Sequence, residues 1–165
     1  MTTRSNIKPF DLSAMNNFVR ALPVILEEGL QSFSNHVVDK AISSINSKRF
    51  ENTLWRSTVM KSSSTGALKH SFNVVRTSPL VNTIYSSVPY ANIQNSGGKI
   101  KITDKMRSFF WARYYDNDSD ADKWKALALT KKSHITIPER PFIKDTPQLT
   151  VDFQRILMMK IKKYV

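Results

Sequence analysis

The sequence has no cysteine and only four glycines among 165 residues. Without a thiol there is no disulfide framework, no thiolate zinc site and no cysteine nucleophile, and the composition fits a chain made in a reducing cytoplasm. Four glycines, two of them adjacent at Gly97 and Gly98, furnish neither a dinucleotide fingerprint nor a Walker loop, and no Gly-x-Ser-x-Gly elbow occurs. No stretch approaches the ~18 consecutive apolar residues of a membrane span. Asp11, Pro23, Glu27 and Glu28 interrupt the region where a signal peptide would carry its apolar core. These absences point to a soluble chain with no membrane partner. A hydrophobic content of 41% then predicts a single domain over residues 1–165, stable without disulfides or metal.

Acidic residues are also scarce. Thirteen Asp and Glu face 25 Lys and Arg, a formal charge of +12, which favours a polyanionic neighbour such as DNA, an acidic protein ring or a membrane surface. The excess runs from Arg4 to Lys163, with concentrations at Lys99 to Arg107, Lys131 to Lys132 and Lys160 to Lys163. A spread of this kind reads either as a solvated face or as a contact surface.

Catalytic chemistry finds little to work with. His36, His70 and His134 fall in different segments, none spaced to pair with a second histidine or a nearby carboxylate on one face. Asp116, Asp118, Asp120 and Asp122 have the alternation of a calcium loop, but Ala121 stands where the loop needs glycine and Leu127 where it needs a bidentate Glu. The residues therefore predict no enzyme, no metal site and no cofactor, and the aspartates read as a solvated hairpin tip.

Periodicity organises the rest. Residues 1–9 form a polar arm ending in Pro9, and residues 10–48 are helical. There Phe18, Leu22, Ile25, Leu26, Gly29, Phe33, Val37, Ala41 and Ile45 recur at spacings of three and four. Pro23 would mark a kink or the first turn of a second helix, and the second option is favoured. After Phe50 the pattern dissolves through Trp55 and the Ser-rich Lys61 to Thr65, and Gly66 turns the chain into a sheet built from residues 66–102 and 133–143. Its four strands are Leu68 to Arg76, Val81 to Val88, Lys99 to Ile102 and Ser133 to Pro138. The first two should form a hairpin through Thr77-Ser78-Pro79. Thr103 with Asp104 and Thr146 with Pro147 carry helix-start chemistry, the latter opening a C-terminal helix over 147–163. The fold class is α+β, a small antiparallel sheet of about four strands packed by a long N-terminal and a C-terminal helix.

Residues 103–132 form a helical insertion carrying Phe109, Phe110, Trp111, Tyr114, Tyr115 and Trp124. A lone excursion cannot bury so much aromatic surface, so it must fold back on the sheet or pack on another subunit. These six residues and Arg140, held extended between Pro138 and Pro141, are the candidates for intersubunit or partner contact. Lys99, Lys101, Arg107, Lys131 and Lys132 are the candidates for contact with DNA or an acidic partner. Gly66, Gly97 and Gly98 supply turns, Tyr90 and Ile93 should anchor the segment before the last two in the core, and Phe142 should plug it.

Three blocks carry a resemblance. They are Thr65-Gly66-Ala67-Leu68-Lys69-His70-Ser71-Phe72, then Val88-Pro89-Tyr90-Ala91-Asn92-Ile93-Gln94-Asn95-Ser96-Gly97-Gly98-Lys99-Ile100, and Ile137-Pro138-Glu139-Arg140-Pro141-Phe142-Ile143. In order and spacing they resemble the Mu-like phage virion morphogenesis family, related to tail-completion and head-tail neck proteins. Lys105 to Trp111 and Lys123 to Lys132 are similar to a subgroup from phages and prophages of Bacteroidetes. The likeness spans about residues 20–143. Many relatives carry histidine before the Gly-Gly turn, where this chain has Gln94 or Asn95. The resemblance implies a structural virion protein, synthesised in the host cytoplasm, that forms a sixfold or twelvefold homo-oligomeric ring. Its implied partners are portal, adaptor and tail proteins, with phage DNA passing through the lumen. From charge alone, the alternative is a non-specific nucleic-acid-binding module.

Overall fold

The three-and-four spacing of apolar residues winds the first segment into one long helix, α1, Ser13–Ser47. In the computed structural model, which describes residues 12–55, 66–116 and 120–164, the stripe holds: Ile25, Gly29, Val37 and Ala41 are buried. Pro23 lies inside this helix and does not begin a second one. It removes one N–H and leaves the carbonyl of Val19 without its helical donor. Val19, Arg20, Pro23 and Val24 are all exposed, so water can serve that carbonyl and the helix continues. The arm over 1–9, the stretch Lys61 to Thr65, and Asp118 lie outside the described residues.

The described strands pair as three separate two-stranded ribbons where the sequence suggested one sheet of about four strands. A short ribbon that the sequence did not announce follows α1: β1, Arg49–Phe50, pairs antiparallel with β2, Thr53–Leu54. Next come β3, Phe72–Ser78, and β4, Val81–Ser86, joined by a turn at Pro79-Leu80. The segment after β4 forms a helix, α2, Ala91–Ser96. Beyond Gly97 the chain starts a new ribbon, β5, Gly98–Lys101, with β6, His134–Ile137, antiparallel in the register Lys99↔Thr136 and Lys101↔His134.

Between β5 and β6 the insertion folds as α3, Asp104–Tyr115, and α4, Ala121–Leu129. Thr103 caps α3 as its residue type predicts, accepting from the Met106 amide at 3.3 Å. Helix α5, Pro147–Ile161, starts with its proline in the first turn, where the missing N–H costs nothing. The fold is thus α+β, with a long N-terminal helix and a C-terminal helix. No helix among the described residues is long and apolar enough to cross a membrane.

Where length and composition point to one domain, the contacts divide the chain into two compact units. The first holds residues 12–37, 74–84 and 145–164. In it Phe33 meets Phe153 edge to face at 5.1 Å, and Gly29 leaves room for Leu157, whose Cδ1 stands 3.0 Å from where a Cβ would be. The second holds residues 38–55, 66–73, 85–116 and 120–144. It has one core around Ala41, Ala91 and Phe142 and another around Ile102, Phe110 and Ala128.

Candidate functional site

In the second unit the sequence blocks at 88–100 and 137–143 close into one knot. The Asn95 side-chain carbonyl accepts from the amides of Phe142 at 2.9 Å and Ile143 at 3.0 Å, a backbone-like pairing supplied by one side chain. Gln94 accepts twice from Arg140, through its backbone oxygen from the amide at 3.0 Å and through Oε1 from Nη1 at 3.4 Å. Gly97, at φ 68°, lets the 137–139 backbone approach so closely that a Cβ would stand 2.8 Å from the Glu139 nitrogen. Gly66 has φ 72° and Gly98 φ 154°, so all three predicted turn glycines occupy positive φ.

These ties deliver Phe142 to the core, where it is 5% exposed and meets Phe72 edge to face at 5.6 Å. Burying such a ring stabilises by about 1.5–3 kcal/mol. Trp55 adds an indole N–H donated to the Pro141 carbonyl at 3.0 Å. Tyr90 does not anchor this segment, being 42% exposed. It precedes α2, whose helical turn carries Ala91 inward instead.

The aromatic insertion folds back on its own ribbon. Phe110 is buried and stacks on Trp124 at 5.9 Å, while Phe109 meets the same indole edge-on at 5.8 Å. Trp111 stacks on Tyr115 at 6.0 Å and touches Tyr114 at 5.8 Å. Ile102 and Ile135 close this core from the ribbon side. Two of the six aromatics still face outward, Phe109 at 53% and Tyr115 at 74% exposure. The Trp124 indole N–H is buried with no acceptor among the described residues, a cost of about 1–3 kcal/mol that the ring's packing with Phe110 and Phe109 must offset.

The basic candidates separate into two kinds. Lys99 and Lys101 project from the exposed face of β5, and Lys131 and Lys132 are exposed just before β6. Arg107 is different, being half-buried with its guanidinium already engaged within the fold. Its Nη1 donates to the carbonyls of Ala128 and Thr130, each at 2.9 Å. That closes the C-terminus of α4, where orphan carbonyls and the negative end of the helix dipole both favour a cation.

The first unit holds polar pairs that the sequence did not reveal. Asp152 is 5% exposed. Its Oδ2 accepts from the Nε2–H of His36 at 3.0 Å, and its Oδ1 from Gln148 at 3.1 Å and Arg155 at 3.4 Å. His36 and Asp152 are 116 positions apart, so the one available sign was an acid falling on the apolar stripe of α5 between Leu149 and Ile156. Elsewhere in this unit the Arg76 hydrogen bond holds the Glu27 carboxyl below its ordinary value, against a smaller opposing effect of desolvation.

Among the described residues no group of three or more His, Asp or Glu could hold a metal ion. Of the aspartate series, Asp120 instead pairs with Lys123 at 2.6 Å and Asp116 approaches Arg113 at 3.9 Å. No protein-family model, curated protein or solved structure matches the chain.

Proposed function

We propose that the chain is a structural virion protein of a tailed bacteriophage, a ring-forming head-tail connector or tail-completion subunit that joins portal or adaptor to tail. The observation that supports this best is the knot at Gln94, Asn95, Gly97 and Arg140. Two of the sequence blocks that resemble the phage family meet there, and each residue holds backbone in place rather than presenting a reactive group. Gln94 or Asn95 stands where many of the family's members carry histidine, and both use their side-chain amides as scaffold acceptors.

A ring built from head-to-tail copies needs a heterologous contact that closes. The outward Phe109 and Tyr115 on α3 offer apolar area for it, since aromatic rings supply much contact at little entropic cost. Sixfold or twelvefold closure, with the portal or adaptor on one side and the tail on the other, completes the proposal.

Immunogold electron microscopy of particles released from the source strain tests it, using antibody raised against the purified chain. Label confined to the head-tail junction or tail is the expected result. Particles that carry no label and whose proteins yield no peptide of this chain by mass spectrometry would overturn it.

A further inference from the structure

The β5–β6 ribbon has two unlike faces. Ile100 and Ile135, partners in register, are half-buried, and Ile135 packs into the core beneath α3 and α4. The opposite face carries Lys99, Lys101, His134 and Thr136, all exposed. The register sets Lys101 beside His134 and Lys99 beside Thr136. One further bond, from the Ile102 amide to the Ser133 carbonyl at 2.9 Å, prolongs the ribbon toward exposed Lys131 and Lys132. No Asp or Glu occupies any position of the two strands.

Several cations elsewhere are already engaged. Arg76 is paired with Glu27, Lys160 with Glu28 and Lys123 with Asp120, and Arg107 closes α4. None of Lys99, Lys101, Lys131 and Lys132 takes part in an ion pair among the described residues. Two uncommitted ammonium groups thus share the wet face of a ribbon whose other face packs into a core, and two more lie exposed on the segment leading into its second strand.

We propose that this face binds the phosphate backbone of duplex DNA without reading its sequence. Lysines are point charges that lack the bidentate fork of base-reading arginine. No Phe, Tyr or Trp lies on the two strands to act as a stacking platform for single strands. Lys99 and Lys101 stand two residues apart on an extended strand, about 6.6 Å, so they can meet different phosphates. The inference deepens the proposed role by giving the ring subunit a DNA-facing surface, and it is tested on the free chain.

The assay is fluorescence anisotropy with the full chain and two unrelated duplexes over a salt series. Four phosphate contacts give a slope of log affinity against log salt of about −3.6, or roughly 150-fold weaker binding between 50 and 200 mM salt. Lys99→Gln with Lys101→Gln should reduce the slope to about −1.8. Lys131→Gln with Lys132→Gln, outside the strands, should do the same without touching ribbon pairing. Lys144→Gln with Lys162→Gln removes the same charge from exposed positions elsewhere and should leave the slope unchanged.

Equal losses in all three double variants would overturn the proposal, because the dispersed charge would then be responsible. Absence of binding at low salt would overturn it too, as would a strong preference for one duplex. Preferential capture of polyglutamate over duplex at equal charge would overturn it in favour of an acidic protein. Unlabelled virions alongside intact, ribbon-dependent DNA binding would overturn the neck role alone.

Discussion

Replacing Gly97 with alanine puts the knot to its sharpest test. Gly97 lies at φ 68° and ψ −177°, a region essentially reserved for glycine, where another residue costs about 1–3 kcal/mol. The added methyl would also stand 2.8 Å from the Glu139 nitrogen, 3.0 Å from the Ile137 oxygen and 3.1 Å from the Glu139 Cα. All three are backbone atoms between the β5–β6 pairing at Ile137 and the Arg140 amide bond to the Gln94 carbonyl, so relief means moving the chain, for about 1–3 kcal/mol more. Reduced freedom of the unfolded chain returns about 0.4–1 kcal/mol.

The net loss is about 1–5 kcal/mol, which for a chain of this size lowers Tm by roughly 10 °C near the centre of that range. Trp55, Trp111 and Trp124, all the tryptophans of the sequence, belong to the second unit, so their fluorescence during urea unfolding reports on the unit that contains Gly97. The midpoint should fall with the slope unchanged. Gly29→Ala, in the first unit and therefore followed by circular dichroism, is the control. There the clash is only with the tip of Leu157, and the gain in helix propensity of about 1 kcal/mol opposes it. A Gly97→Ala protein within 1 kcal/mol of the parent would refute the reasoning.

Three further outcomes are expected. Asn95→Ala leaves two amides without their acceptor and should cost about 2–4 kcal/mol by the same fluorescence measurement, with Asn95→Asp, which keeps the acceptor, costing less. Arg107→Ala should destabilise by about 2 kcal/mol and release hydrogen-exchange protection in the last turn of α4 while leaving the DNA salt slope intact. A lost slope with unchanged protection would return Arg107 to the binding surface. Glu27, whose folded pKa the Arg76 hydrogen bond lowers, contributes stability above its ordinary value of 4.5 and loses it as pH falls through the folded value. Glu27→Gln should accordingly melt below the parent at neutral pH by circular dichroism, and the gap should close in acid. A gap that persists in acid would assign the effect to packing.

Short-range patterns carried most of the legible fold. The stripe through Ile25, Gly29, Val37 and Ala41 needed only a period of 3.6. The wet face of Lys99 and Lys101 needed only a period of two, and both appear where the pattern puts them. Thr103 and Pro147 mark helix starts because their chemistry acts within one turn. The candidate aromatics were legible as a set but not by role. Phe109 and Phe110 are adjacent and both meet Trp124, and only the packing of α3 on α4 buries one and leaves the other half-exposed.

The sequence by itself thus determined the α+β class, the insertion between paired strands, the turn glycines and the absence of thiol chemistry, since each depends on neighbours within a few residues or on composition. Tertiary structure decided that α1 runs through Pro23, that the segment after β4 forms α2, that Arg107 closes a helix, and that His36 meets Asp152. Those outcomes depend on which groups are solvated and which distant partner is available. Asn95 and Phe142 lie 47 positions apart and His36 and Asp152 lie 116 apart, so no local period could encode their meeting, which packing alone brings about.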